Sequence, residues 1–113
     1  MDCIFCKIIK KELPAEITYQ DKDIIAFKDR HPRAPVHQLI VPKKHIATLN
    51  DLTENDTLLA GNILQIACHL AKKENIAQSG YRIVFNCNKD GGQEVFHLHL
   101  HLLGGRSLHW PPG

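Results

Sequence analysis

The run His97-Leu98-His99-Leu100-His101-Leu102-Leu103 alternates imidazole with leucine and leads straight into Gly104-Gly105. Successive side chains of a β-strand point to opposite faces, so the spacing predicts His97, His99 and His101 on one face and Leu98, Leu100 and Leu102 on the other. Same-face neighbours stand about 7 Å apart, close enough for the rings to share one small anion, one metal or one hydrogen-bond network. Imidazole ionises near about pH 6.5, so one neutral ring can serve as a nucleophile while a protonated neighbour donates to a leaving group. The run is interrupted and internal, unlike an affinity tag, and reads as a site.

Cys3-x-x-Cys6 forms a second constellation. This spacing supplies half of a tetrahedral zinc site, which His45 and His97 can complete from distant parts of the chain. Four protein ligands leave no open position, so such zinc is structural. The alternative is that Cys3 and Cys6 are small buried side chains. Cys68 and Cys87 read as packing residues, and His31 and His69 as solvent-facing.

These groups must be positioned by a small body. With 113 residues the chain fits a single domain spanning residues 1–113. Fourteen Lys and Arg against twelve Asp and Glu leave a net charge of +2, and the basic residues fall in short pairs, which excludes nucleic-acid binding driven by bulk charge. No stretch approaches the roughly 20 apolar residues of a membrane helix, and Met1 to Cys6 lacks the pattern of a leader. The expectation is a cytoplasmic protein whose four cysteines stay reduced or bind metal.

Apolar residues at 4, 5, 8 and 9 predict a short helix over Ile4–Lys11, stopped by Pro14. Residues 17–20 and 24–27 read as strands joined by the turn Asp21-Lys22-Asp23, followed by an ordered loop, 29–35, with two prolines and few apolar residues, and a strand over 36–41. From Thr53 the period becomes helical, with Thr53 and Asp56 resembling a capping box and Ser79-Gly80 ending the helix. Residues 81–86 and 95–103 complete the strands, with a turn over 88–92 between them. An α+β fold follows: an antiparallel sheet of about five strands, one long helix and a short N-terminal helix.

The chain resembles the histidine triad nucleotide-binding family. The likeness rests on the triad, Ile4-Phe5, Phe27-Lys28-Asp29, Ala34-Pro35-Val36-His37, Pro42-Lys43-Lys44-His45, Asp90-Gly91-Gly92-Gln93 and the ending Gly104-Gly105-Arg106 with His109-Trp110-Pro111-Pro112-Gly113. The resemblance implies hydrolysis of purine nucleoside 5′-phosphoramidates, with no cofactor needed for catalysis. It implies His99 as nucleophile, His101 as phosphate contact and proton donor, His97 as an orienting member and His37 behind the triad, fixing a ring's tautomer. It also implies a two-fold homodimer whose Trp110 lies near the partner's pocket. Some relatives in the wider superfamily hold structural zinc with the Cys3, Cys6, His45, His97 set. Dinucleoside polyphosphate hydrolysis is a second possibility, disfavoured by the tail, and a regulatory nucleotide-binding module with little turnover a third.

A nucleotide needs donors at phosphorus, a slot for its base and an acceptor for its ribose. Backbone N–H groups across Gly92, Gln93, Glu94 and Val95, with the Asn86 side chain, are the candidate donors, and Gly91 and Gly92 let the backbone approach. A carboxylate repels phosphate, so Glu94 is expected to point away. Ile4, Phe5, Ile8, Leu13 and Phe27 can form the slot, each with ordinary core packing as its alternative, and Arg30 can stack on the base. Asp29 can accept the ribose hydroxyls or cap its turn.

Overall fold

The computed structural model describes residues 3–113; Met1 and Asp2, part of the stretch read for a leader, lie outside the described residues. Strands β1 (Ile17–Gln20), β2 (Ile24–Lys28), β3 (Val36–Pro42), β4 (Tyr81–Phe85) and β5 (Leu100–Gly104) accompany helices α1 (Ile4–Ile9) and α2 (Thr57–Lys73). The strands form one antiparallel sheet in the order β1-β2-β3-β5-β4. The α+β architecture matches the expectation. No helix among the described residues is long and apolar enough to cross a membrane.

The pleat sorts the sheet's residues into two cores. Ile24, Ala26, Ile40, Leu100 and Leu102 pack against Ile63, Ile66, Ala67 and Leu70 of α2. On the opposite face Ile25, Phe27, Leu39 and Val41 meet Phe5 and Ile8 of α1, together with Cys3. Burial on both sides explains why β2 reads as an unbroken apolar run. The histidines occupy the α1 face, so the leucines between them anchor the site to the main core.

Four element boundaries differ from the sequence expectation. Helix α1 ends at Ile9 because Lys10 caps it and Lys11 takes a left-handed φ of 64°, well before Pro14. The Thr53–Asp56 box does form, but it closes a 3-10 turn, Glu54–Asp56, that precedes α2. Helix α2 stops at Lys73, earlier than Ser79-Gly80, since Asn75 turns left-handed at φ 61° and sends Ile76 back into the core. Gly104 accommodates that return: a Cβ there would lie 2.5 Å from Ile76 Cδ1.

The fourth difference bears on the site. Strand β5 begins at Leu100, five residues later than residue 95. Its register with β3 pairs Leu100 with Ile40, so continuation would bring residue 98 opposite Pro42, which has no N–H to donate. The ladder stops, and Leu98 N–H bonds instead to Ile46 O at 2.6 Å. His97 and His99 therefore precede the regular strand.

Candidate active site

Two of the three triad rings share a cleft and the third does not. His99 and His101 line it, their ring centroids 4.9 Å apart, whereas His97 is wholly buried elsewhere. The expectation of three rings around one ligand is corrected accordingly. His97 reaches the site through its backbone: its carbonyl accepts a hydrogen bond from His99 Nδ1 at 2.8 Å. A carbonyl can only accept, so Nδ1 of His99 carries the proton and Nε2 holds the lone pair when the ring is neutral. The edge of Phe5, 5.1 Å away by centroid, packs against the ring of His99.

His37 stands behind His101, with Nε2 3.0 Å from His101 Nδ1. The Arg33 N–H donates to His37 Nδ1 at 3.0 Å, which puts the neutral His37 proton on Nε2. Donated to His101 Nδ1, that proton in turn places the proton of neutral His101 on Nε2. Asp29 Oδ2, 3.3 Å from His37 Nε2, is a second acceptor.

All of these rings are held neutral at pH 7. Burial lowers the pKa of His99, opposed by its bond to the His97 carbonyl and by the charges of Asp29 and Glu94. Burial likewise lowers His37. His101 is pushed down to about 4 by burial, then by the His99 and His37 rings and the Arg33 charge. The free site therefore lacks the protonated donor that the unperturbed imidazole pKa suggested.

The cleft measures about 870 Å³, a volume suited to a nucleotide-sized ligand. It gathers Ile4, Phe5, Ile8, Phe27, Asp29, Arg30, Asn86, Gly92 and Val95, as the sequence suggested. It leaves out Leu13, Gln93 and Trp110. Leu13 lies on a separate shallow groove below α1. The Gln93 side chain turns inward, donating to Ala47 O and Val95 O and accepting from Asn88 N–H. Trp110 is 81% exposed, with the Arg82 guanidinium 5.9 Å above its ring, and Pro112 is the tail residue at the cleft.

Three further corrections follow. Because Gln93 points in, Glu94 faces out and lines the cleft, contrary to the expectation that it avoids the site. The amides of Gly92 and Gln93 are spent on Lys89 O and Asn88 O, leaving Glu94 and Val95 as the available donors of that run. Gly91 serves the turn rather than a ligand, since a Cβ there would lie 2.6 Å from Cys87 O. Asp29 both lines the cleft and caps its loop, its Oδ1 accepting from His31 N–H at 2.8 Å. Among residues the sequence left unassigned, Lys28, Arg33 and Leu39 also line the cleft, as does His31, which is exposed as expected. Pro32 and Pro35 marked 29–35 as an ordered loop but not the direction of its side chains. Cys68, read as a packing residue, is exposed and accepts from the Tyr81 hydroxyl.

The HIT domain model matches residues 10–108, most of the chain. The chain belongs to the HIT family. A relative from Escherichia coli strain K12, named purine nucleoside phosphoramidase, is 47% identical over 107 residues, covering 95% of this chain and 90% of its own. The crystal structure of a HIT family hydrolase from Legionella pneumophila superposes with a TM-score of 0.97 at 56% identity, covering 99% of this chain and all of that one. A histidine triad protein from Clostridium difficile gives 0.93 at 44% identity, over 96% of this chain and 95% of that one. HIT membership makes the chain an enzyme, a hydrolase.

Beneath the active site of this HIT protein lies a cluster of metal-ligating side chains. Cys3 Sγ and Cys6 Sγ stand 3.3 and 3.6 Å from His97 Nδ1, and Cys6 Sγ is 3.4 Å from His45 Nδ1. The two Nδ1 atoms are 3.1 Å apart. Ligand atoms of a tetrahedral zinc stand about 3.3–3.8 Å from one another; the three sulfur–nitrogen distances fall in that range, the Nδ1 pair is slightly closer, and all four ligand atoms lie within 4.8 Å of one another. The protonation fits as well: His97 Nε2–H donates to Pro42 O at 2.7 Å, freeing Nδ1 to face the sulfurs. Burial and the neighbouring Cys3 raise the Cys6 thiol above its ordinary range when no metal is present.

Proposed function

We propose that this HIT hydrolase cleaves the P–N bond of purine nucleoside 5′-phosphoramidates through a nucleotidyl intermediate on His99. The observation that carries the reading is the hydrogen bond from His99 Nδ1 to the His97 carbonyl, which leaves an unprotonated Nε2 in a nucleotide-sized cleft. The name of the E. coli relative supports the choice of substrate. Ile4, Phe5, Ile8 and Phe27 take the base, and Asp29 the ribose. Asn86 and the amides of Glu94 and Val95 meet the charge that builds on the phosphoryl oxygens.

In the first step His99 Nε2 bonds to phosphorus and the P–N bond breaks. The substrate's negative charge offsets the burial that keeps the His37–His101 pair neutral, so His37 Nε2–H turns to Asp29 Oδ2 and His101 takes up one proton on Nδ1, keeping the one on Nε2. His101 gives that proton to the departing nitrogen, which leaves as the neutral amine. In the second step water attacks phosphorus, His101 accepts its proton, and the Nε2–P bond breaks to release the nucleoside monophosphate. Replacing His99 with alanine should lower kcat for adenosine 5′-phosphoramidate by about 10³-fold or more. Quenched wild-type enzyme should carry a nucleotidyl adduct on His99, and retained turnover in the variant overturns the assignment.

Two further readings belong to the same proposal. Cys3, Cys6, His45 and His97 hold structural zinc. The chain pairs with a second copy at the open edge of β4, where Tyr81 and Ile83 are exposed although the pleat directs them to the helical face.

A further inference from the structure

The segment Cys3-Ile4-Phe5-Cys6 sets two sulfurs and two cleft residues in the first turn of α1. Ile4 and Phe5 line the cleft, while the cysteines on either side of them face His45 and His97. The Phe5 ring stands at a steep angle to two of the triad rings, its centroid 5.1 Å from that of His99 and 5.9 Å from that of His97. His97 in turn holds the His99 ring through its carbonyl. The sulfurs thus bear on His99 by two routes, through the aromatic side chain between them and through the histidine they touch.

Both cysteines are free thiols whose Sγ atoms lie within 4.8 Å of each other. Cys3 is 8% exposed, whereas Cys6 is only half-buried and open to an oxidant as small as hydrogen peroxide. A disulfide needs its sulfurs about 2.05 Å apart with a dihedral of about 90° across them. Reaching that geometry moves at least one sulfur from its place beside His97 and, in a ring closed over only two intervening residues, draws the backbone of Ile4 and Phe5 with it. Displacing a catalytic group by about 1 Å costs on the order of 10²-fold in rate.

We propose that Cys3 and Cys6 form an oxidation-sensitive site whose disulfide disables the cleft by shifting Phe5 and the ring of His99. The Cys6 thiolate attacks one oxygen of hydrogen peroxide, the O–O bond breaks and hydroxide leaves, which gives a sulfenic acid on Cys6. The Cys3 sulfur then bonds to that sulfur, and the hydroxyl departs as water with the Cys3 proton. Two thiols are oxidised to one disulfide and the peroxide is reduced to two waters. Zinc held there as proposed above loses two of its four ligands. The inference rests on the hydrolase reading for its activity measurement alone.

Cys3 and Cys6 share one tryptic peptide ending at Lys7, separate from those that carry Cys68 and Cys87. In graded hydrogen peroxide that peptide should lose two hydrogens, and kcat/KM for adenosine 5′-phosphoramidate should fall about 10²-fold in the oxidised fraction. The loss should track this peptide and not Cys68 or Cys87, and dithiothreitol with added zinc should reverse it. AMP affinity by calorimetry should fall alongside, while the β-sheet circular dichroism stays unchanged. Absence of the Cys3–Cys6 disulfide, a disulfide that leaves turnover and AMP affinity intact, activity that follows another cysteine, or loss of the sheet signal overturns the site. Should the reduced protein cleave no phosphoramidate while its AMP affinity falls on oxidation and recovers on reduction, the site stands and the hydrolase reading falls.

Discussion

His97 and His99 sit two residues apart and do different work. One turns its ring down to the sulfurs and lends its carbonyl; the other hangs its ring from that carbonyl. Alternation identified the residues but could not separate these roles, because the separation depends on Pro42 ending the ladder one pair short. The signal was present, since a proline opposite the start of a strand removes a donor; reading it required the register. Glu94 was misjudged for a related reason: charge repulsion was weighed, but the buried partners of Gln93, which decide where residue 94 faces, were not visible in one dimension. The neutral rings carry a stability consequence. In the unfolded chain His37 and His101 take up protons near about pH 6.5, whereas in the fold His101 does so only near about 4 and His37 below its ordinary value. The unfolded state thus binds more protons between those limits, and stability complete above about pH 6.5 is lost as pH falls. Thermal melts should show a lower Tm at pH 5 than at pH 7, and a smaller drop in His101→Gln. A flat profile counts against the buried, depressed pair.

Helix α1 has six residues, too few to persist alone in water. Its order comes from Phe5 and Ile8 in the core and from the cluster at its first turn, where Cys3 is the N-cap and its Sγ accepts from Cys6 N–H. The same helix supplies Ile4, Phe5 and Ile8 to the cleft, so the segment that carries two of the candidate metal ligands also shapes the proposed base slot. Protein purified without nickel resin should contain about one zinc per chain, and chelation should lower Tm together with nucleotide affinity. Less than about a tenth of an equivalent contradicts the zinc assignment. The helix itself was legible from its apolar spacing; its end was not, because Lys11 adopts a left-handed φ that propensity does not announce. Helix α2 was legible for its length and overextended for the same reason, with Asn75 turning the chain before the glycine that looked like its stop.

The sheet closes on neither side: β1 and β4 are both edges. Leu64, one helical turn before the Cys68 that meets Tyr81 of β4, is 42% exposed, and Ile83 of β4 is 38% exposed. Trp110 projects from the tail with the Arg82 guanidinium over its ring, and Arg82 Nη2 also ties the His109 carbonyl at 2.8 Å. The second copy proposed on this side would cover surface that is costly in water. Sedimentation should therefore give the mass of two chains, and Ile83→Lys should shift it towards one; a wild-type mass of one chain removes the dimer. Fold class was legible throughout, since strands joined by short turns around one long helix admit few arrangements. The proposed dimer has its only sequence support in the resemblance, because no single chain's pattern names what covers it.

The Gln93 amide offers a last consequence. By suspending its loop from Ala47, Val95 and Asn88, it settles the backbone path without any help from the neighbour that faces the ligand. Position 94 is thereby released from structural duty. On the proposed phosphoramidate reading, exchanging its carboxylate for a hydroxyl, an amide or a cation would retune which amines are accepted, while the scaffold beneath stays as it was.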